Sequence, residues 1–380
     1  MKNYKITAVC TFGLESVVKK EILRLGYEIE SVADGAISIQ GDVVDIYRLN
    51  LHLRSAERVY IELKTVKVQS FDELFDATKT IYWENYIPKD ARFIVSKVSC
   101  VKSKLFSETD CQRIVKKAMV DRLMQKHKVN VLPEIRGNYS VTLKIKNDIA
   151  TFYLNTSGEP LHKRGYRLQK GEAPIKETLA SGILSLCRYT RNRQFADCMC
   201  GSGTFVIEAA MYAANIAPGL RREFEFENWG ILNSKLRDAV REEAIANQVE
   251  PELRLLGSDI NPRVIRYAEE NAFRAGVSEY VAFQRMNMSE FKSRKKYGIM
   301  VLNPPYGERI GDRDHINELY RAMGKLYDEL DDWSMNILCA NSDFQDHFGH
   351  KADKNRKLYN GNMLSYLYMY TNDPPKKAKN

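Results

Sequence analysis

The sequence predicts two architectures in one chain: an α+β front half and, from about residue 178 onward, an α/β half built on a mostly parallel sheet. Three observations predict it. Short strand and helix patterns mix without fixed order over residues 1–155. Periodicity lapses over Asn155 to Thr178 into a polar stretch with Gly158, Pro160, Gly165, Gly171 and Pro174. Beyond that stretch strand and helix patterns alternate.

In the front half, Lys5 to Cys10 alternates as a strand, Leu14 to Leu25 has helical spacing, and Ala36 to Gln40 reads as a strand after Asp34-Gly35. Val59 to Val68 and Phe93 to Val101 alternate as further strands. Ser107 to Gln125 reads as a helix: Ser107 and Asp110 have capping-box spacing, and Ile114, Val115, Ala118, Met119 and Leu123 form an apolar stripe beside Arg113, Lys116, Lys117 and Arg122. Its basic side is expected to face a ligand. Ser140 to Ile145 and Ala150 to Leu154 form a hairpin around Lys146-Asn147-Asp148. In the rear half, strands at Gln194–Asp197, Arg254–Asp259, Val281–Arg285, Tyr297–Leu302 and Met335–Ala340 alternate with helices from Thr204, over Pro262–Ala275 and over Ile316–Leu330. Such units place ligands at the strand C-termini. Lys357–Tyr359 and Leu364–Tyr370 flank Asn360-Gly361-Asn362 as a hairpin, so an antiparallel edge strand is expected to end the sheet. The tail from Thr371, rich in Pro and Lys, is expected to be disordered.

At 380 residues and 44% hydrophobic composition the chain should form two or three cored domains. Apolar runs such as Ile299–Leu302 fall far short of the ~20 residues needed to span a bilayer, and no apolar leader follows Met1. A soluble, cytoplasmic protein with no membrane partner is expected. Seven scattered cysteines without a CxxC pair argue for free thiols. The Cys198 and Cys200 pair has no third and fourth ligand nearby, so no metal is expected. The net charge is +9, and residues 89–128 alone carry 11 Lys and Arg against 4 Asp and Glu. A patch of that density suits a polyanion through counterion release, or forms a plain solvated helix face.

The chemistry concentrates after the rear strands. Asp197-Cys198-Met199-Cys200-Gly201-Ser202-Gly203-Thr204 follows a strand and opens a helix, the context of a glycine-rich nucleotide loop; a tight turn is the plain alternative. Val206 is not small and Asp259 lies 62 residues past Asp197, which argues against the dinucleotide fingerprint and NAD. Asp259 ends a strand, where a carboxylate accepts from ribose hydroxyls. Asn287 follows the next strand, where its side-chain oxygen would accept from an adenine amine, with the Met288 backbone against the ring. Either residue equally suits a helix N-cap. Asn303-Pro304-Pro305-Tyr306 stands directly after a strand, and chance supplies this tetrapeptide in roughly one chain in a thousand. An aromatic amine is a poor nucleophile because its lone pair is delocalised into the ring. Acceptance of its hydrogens by the Asn303 side chain and the Pro304 carbonyl opposes that delocalisation and aims the nitrogen at a methyl donor. Pro305 stiffens the loop, and Tyr306 would stack on a base drawn out of its helix. Phe224, Phe226 and Trp229 would either stack on a base or pack in a core.

With Ile207-Glu208-Ala209-Ala210, Asp259-Ile260-Asn261-Pro262, Asn303-Pro304-Pro305-Tyr306-Gly307-Glu308-Arg309 and the upstream Leu161-His162-Lys163-Arg164-Gly165-Tyr166-Arg167, the whole chain resembles the class I S-adenosylmethionine-dependent methyltransferases that carry a THUMP RNA-binding domain. It is most similar to bacterial 23S ribosomal RNA guanine-N2 methyltransferases of the RlmL and YpsC type. The resemblance implies a ferredoxin-like piece over residues 1–60, a THUMP domain over 61–155, a linker over 156–175, and a Rossmann-like domain with a seven-stranded, mostly parallel sheet over 176–370 before the tail at 371–380. It implies S-adenosyl-L-methionine as cofactor and ribosomal RNA, free or in an assembling large subunit, as partner. Lys176, Glu177, Thr178, Asp197, Gly201, Gly203 and Thr204 would line the methionine and ribose side, Asp259 and Ile260 the ribose, Asn287 and Met288 the adenine, and Asn303 the methyl-transfer end. RNA would meet Lys102, Lys104, Arg113, Lys116, Lys117, Arg122, Lys163, Arg164 and Arg167. Two residues depart from the family pattern: Cys198 stands where proline is usual and Asn287 where an acid is common.

Overall fold

The computed structural model describes residues 2–167, 175–305, 313–330, 332–361 and 363–372. The front half runs β1 (Tyr4–Cys10), α1 (Glu15–Arg24), β2 (Ser31–Ala33), β3 (Ala36–Gly41), α2 (Val43–His52), β4 (Ala56–Lys67), α3 (Phe71–Lys79), β5 (Ala91–Val101), α4 (Glu108–His127), β6 (Arg136–Lys146) and β7 (Ile149–Asn155). Its strands form one sheet in the order β2-β3-β1-β4-β7-β6-β5. β4 pairs with β1 through Ala56 to Ile61 and with β7 through Tyr60 to Lys67, so the sheet crosses position 60 without a break.

The rear half contains α5 (Glu177–Leu186), β8 (Phe195–Asp197), α6 (Thr204–Ala213), α7 (Ser234–Ala246), β9 (Leu255–Asp259), α8 (Pro262–Ala275), β10 (Val281–Arg285), β11 (Ile299–Leu302), α9 (Arg313–Glu329), β12 (Ser334–Cys339), α10 (Phe344–Phe348), β13 (Lys354–Asn360) and β14 (Met363–Tyr370). Its sheet has the order β10-β9-β8-β11-β12-β14-β13. Neighbours from β10 to β12 are parallel, and β14 is antiparallel to both β12 and β13. Along β11 the side chains alternate between two cores, Ile299 and Val301 on one face and Met300 and Leu302 on the other. Both faces of this sheet are therefore covered.

Several expectations need correction. The antiparallel strand lies one place inside the edge, because apolar β14 is drawn between its neighbours and the exposed Lys354 to Lys357 of β13 take the edge. Thr371 and Asn372 do not begin a loose tail: their N–H groups donate to Asp353 Oδ2 (2.7 Å) and Ser334 Oγ (2.9 Å). Residues 373–380 lie outside the described residues. Helices α2, α3, α5, α7 and α10 have no counterpart in the expected series. α2 opens on β-branched Val43-Val44, yet Asp42 accepts from Val44 and Asp45 N–H while Asp45 accepts from Asp42 N–H, a capping box that overrides local preference. α5 is buried along Glu177 to Leu184, and its polar Glu177, Thr178 and Ser181 are taken up inside the fold, so it presents little of a solvent-facing stripe.

The polar stretch after β7 is built into the structure as far as it is described. Thr156 Oγ1 donates to the Val59 carbonyl (2.7 Å), and Arg164 and Tyr166 are 2% and 1% exposed. Both reach Glu208 of α6, which has no exposed surface: Tyr166 OH donates at 3.1 Å, Ser181 Oγ of α5 at 2.6 Å, and the Arg164 guanidinium lies 3.5 Å away. The chain then returns to the front half. Phe224, Phe226 and Trp229 join its core, with Trp229 stacked on Tyr139 at 4.7 Å, so these aromatics pack and do not await a base. Replacing Arg164 by Ala leaves the Glu208 carboxylate buried without its cation and should destabilise the fold by about 3–5 kcal/mol. Replacing exposed Lys163 by Ala should change stability by less than about 0.5 kcal/mol. Urea denaturation of the two variants checks the contrast.

Candidate active site

The C-terminal ends of β10, β9, β8 and β11 lie side by side. Chain order reverses beside β8, with β9 and β10 on one side and β11 and β12 on the other, which opens a crevice at the strand ends. The loop after β8 is tied down by its neighbour: Gly201 N–H donates to Asp259 Oδ2 (3.0 Å) and Cys200 N–H to the Ser258 carbonyl (2.9 Å). Asp259 Oδ1 accepts from Asn261 N–H (2.9 Å). Capping of α8 falls to Asn261, which accepts from Arg263 N–H (2.9 Å), so Asp259 is not a helix cap. Gly203 enters α6 at φ +84°, and a Cβ there would come within 3.0 Å of Ala268 and 3.1 Å of Phe283. At Gly201, φ +50°, a Cβ would meet nothing within 4 Å, so open space adjoins the loop there.

Asp197 is 2% exposed and accepts from Met199 N–H (3.0 Å). Burial pushes its carboxyl up to about 8; the Met199 N–H opposes the rise and the Asp259 charge adds to it. Ile260, 64% exposed, presents an apolar side chain beside half-buried Asp259. Met288 is buried. Asn287 does not keep its oxygen for an adenine amine: Oδ1 accepts from Ser289 N–H (3.0 Å) and Oγ–H (2.9 Å) and caps a short 3-10 turn, leaving neither lone pair free. Asn303 follows β11 half-buried, Pro304 is buried and Pro305 exposed; Tyr306 lies outside the described residues.

Upstream, Lys176 and Thr178, expected on the methionine side, bind the front half. Thr178 Oγ1 donates to Glu57, and Lys176 and His162 pair with it at 3.6 and 3.2 Å. Burial alone would raise the Glu57 carboxyl, but these partners hold it down to about 2. Glu177 pairs with Arg167 at 3.3 Å, and Arg167 also donates to Thr204 Oγ1 at 2.6 Å. Glu57 and Glu208 do this structural work without any spacing that would single them out.

The expected RNA contacts divide. Lys102, Lys104, Arg113, Lys117 and Lys163 are exposed. Arg122 is instead bound by Glu84 at 2.6 and 2.9 Å and stacked over Tyr82, and Lys116 donates to the Phe93 carbonyl (2.6 Å) and pairs with Glu134 (3.0 Å). Arg164 and Arg167 face inward. These four are engaged within the fold by nearby carboxylates and main-chain carbonyls, half-buried for Lys116 and Arg122 and buried for Arg164 and Arg167. Among the described residues no cluster of three His, Cys, Asp or Glu side chains could hold a metal, and no helix is long and apolar enough to cross a membrane.

Comparison with known proteins places this geometry. Residues 164–368 match the RMKL-like methyltransferase domain, residues 5–60 the RlmL ferredoxin-like domain, and residues 68–155 the THUMP domain. A Bacillus subtilis (strain 168) protein named as a putative RNA methyltransferase, YpsC, is 42% identical over 97% of this chain and 96% of its own length. Ribosomal RNA large subunit methyltransferase K/L of Cellvibrio japonicus (strain Ueda107) is 33% identical over 96% of this chain, which spans about half (50%) of that protein. A protein named as a putative methyltransferase and solved in complex with SAH superposes with a TM-score of 0.92 at 38% identity, covering 99% of this chain and 100% of that one.

The raised Asp197 carboxyl binds its proton more tightly folded than unfolded. The resulting stability is full below the ordinary aspartate value of 3.8 and is lost as pH rises through about 8. Asp197→Asn should therefore flatten the decline between pH 5 and pH 8 by on the order of a few kcal/mol. Urea denaturation of both proteins across that range measures the difference.

Proposed function

The chain belongs to the RMKL-like methyltransferase family, and from that premise we propose that it transfers a methyl group from S-adenosyl-L-methionine to the exocyclic N2 amine of a guanine in 23S ribosomal RNA. The observation that carries this reading is Asn303-Pro304 standing directly after buried β11, next to the β8 loop that Asp259 ties down.

The cofactor supplies a methyl group activated on a positively charged sulfur. The residues present suit it. Each Asp259 oxygen has made one hydrogen bond and has a lone pair left for a ribose hydroxyl. The N-terminus of the ten-residue helix α6 suits the carboxylate of the methionine part, and exposed Ile260 an adenine face. With Asn287 engaged by Ser289, main-chain groups of the 287–288 turn are left to hold the adenine edge. The Asn303 oxygen and the Pro304 carbonyl accept the two hydrogens of the target amine, localise its lone pair and hold nitrogen in line with the methyl carbon. The proton leaves after nitrogen has become cationic, so no charged base is needed. The flipped guanine would stack on Tyr306. Large-subunit RNA places the reaction in the cytoplasm, and the THUMP domain with its exposed lysines supports an RNA partner.

The same amine geometry suits adenine N6, so the product decides between them. Radiolabelled methyl transfer to RNA from a strain lacking the gene should yield N2-methylguanosine on nucleoside analysis; N6-methyladenosine would replace the reading. Under single-turnover conditions with cofactor and RNA saturating, Asn303→Ala should slow transfer roughly 100- to 1000-fold while cofactor affinity persists. Neutralising Lys102, Lys104, Arg113 and Lys117 together should weaken binding to all RNA sequences and flatten the log-log salt dependence by about 0.7–0.9 for each phosphate that these cations neutralise. Filter binding at several salt concentrations reads that slope.

A further inference from the structure

A cavity of about 350 Å³ lies between α1 and the α2–β4 turn of the front half and α5 and α6 of the rear half. It is a different place from the cofactor crevice. Tyr212 and Asn215, at the far end of α6, line it, whereas the glycine loop opens that helix; ten residues of helix separate the two by about 15 Å. Its volume lies in the range of small-molecule sites, which favour such junctions.

The wall is cationic. Lys20, Arg24, Arg54 and Arg191 line the cavity, with Glu21 the one acid among the lining residues. The Glu21 carboxylate is already engaged, accepting from Arg54 N–H (2.9 Å), Ser55 N–H (3.2 Å) and Ser55 Oγ–H (2.7 Å). Burial, with Arg54 adding, lowers His52 to about 4, so it brings no charge at neutral pH. Arg54 Nη2 donates to the Ile216 carbonyl (2.7 Å), and the guanidinium lies 5.6 Å from the Tyr212 ring centroid. Its Nη1 is buried and has no hydrogen-bond partner among the described residues. A buried guanidinium donor without an acceptor is costly, and an anion in the cavity would remove that cost once the Arg54 side chain turns Nη1 toward it. Val17, Leu184 and Tyr189 supply an apolar side to the same space.

We propose that this cavity binds a small organic phosphate of nucleoside monophosphate size, its phosphate held by Arg54 with Arg24 and Arg191 at the rim, and its planar body against the apolar side. The phosphate comes from a free nucleotide or from the end nucleotide of an RNA; the recognition chemistry is shared. Arg24 and Arg54 belong to the front half and Arg191 to the rear, so occupancy clamps the halves together.

The test is calorimetric titration of the full chain, with S-adenosylhomocysteine saturating, by guanosine 5′-monophosphate and separately by a 5′-phosphorylated tetranucleotide. Saturable binding of either, weakened at least tenfold in the double variant Arg24→Ala/Arg191→Ala, supports the site; the tighter probe identifies the source. Both arginines are exposed, so the variant should fold, and its unchanged affinity for S-adenosylhomocysteine shows that it does. Absence of saturable binding by both probes, or equal affinity in the double variant, overturns the proposal. Failure of S-adenosylhomocysteine itself to bind would count against the methyltransferase cofactor reading, and the nucleotide titrations without it would still test the cavity.

Discussion

A carboxylate with no solvent contact must be neutralised and hydrogen-bonded where it stands, and Glu208 meets that requirement with groups from the inter-sheet stretch and from α5. Arg164 and Tyr166 come from the stretch between the two sheets and Ser181 from α5. Because Glu208 sits on α6, the helix that the glycine loop opens, these contacts also fix the helix start. Arg167 continues the arrangement by bonding Thr204 and pairing with Glu177. Arg164 and Arg167 thus act on carboxylates inside the protein, and the loop facing the crevice inherits its position from them.

The two halves consequently behave as one packed body in two more places. Glu57 of β4 gathers His162, Lys176 and Thr178, which ties the front sheet to the start of α5. Phe224, Phe226 and Trp229, from the rear half, complete the core beneath the front sheet, while Leu14 and Val17 of the front half enter the core of the rear one. A surface that holds RNA on the front half would therefore stand at a set distance from Asn303, and target choice would follow from that spacing as well as from contacts at the base.

Much was legible because some signals are local. The period of α8 and the β10 pattern emerge with the expected bounds, since an amphipathic stripe and a β-rich run need only neighbours in sequence. Asp197, Gly201, Asp259 and Asn303 fall on one sheet edge because parallel units bring strand C-termini together, so motif order alone assembled that part of the site. α5 escaped notice for a physical reason: eight of its ten residues are buried, polar ones included, so little of a solvent-facing stripe marks its period.

By itself, then, the sequence determined the class of each half, the glycine-rich turn after a strand and the Asn303 to Tyr306 tetrapeptide proposed to accept an amine, because each rests on residue type and short spacing. Only the tertiary structure decided which charges are available. Arg122 and Arg164 read in sequence like Arg113 and Lys117, yet the first two find carboxylates brought from 38 and 44 residues away and the last two stay exposed. The same holds for Arg54, left with a buried donor between two halves. Charge and hydrogen-bonding capacity are properties of a residue, but whether a partner has already claimed them depends on contacts distant in sequence that only folding creates.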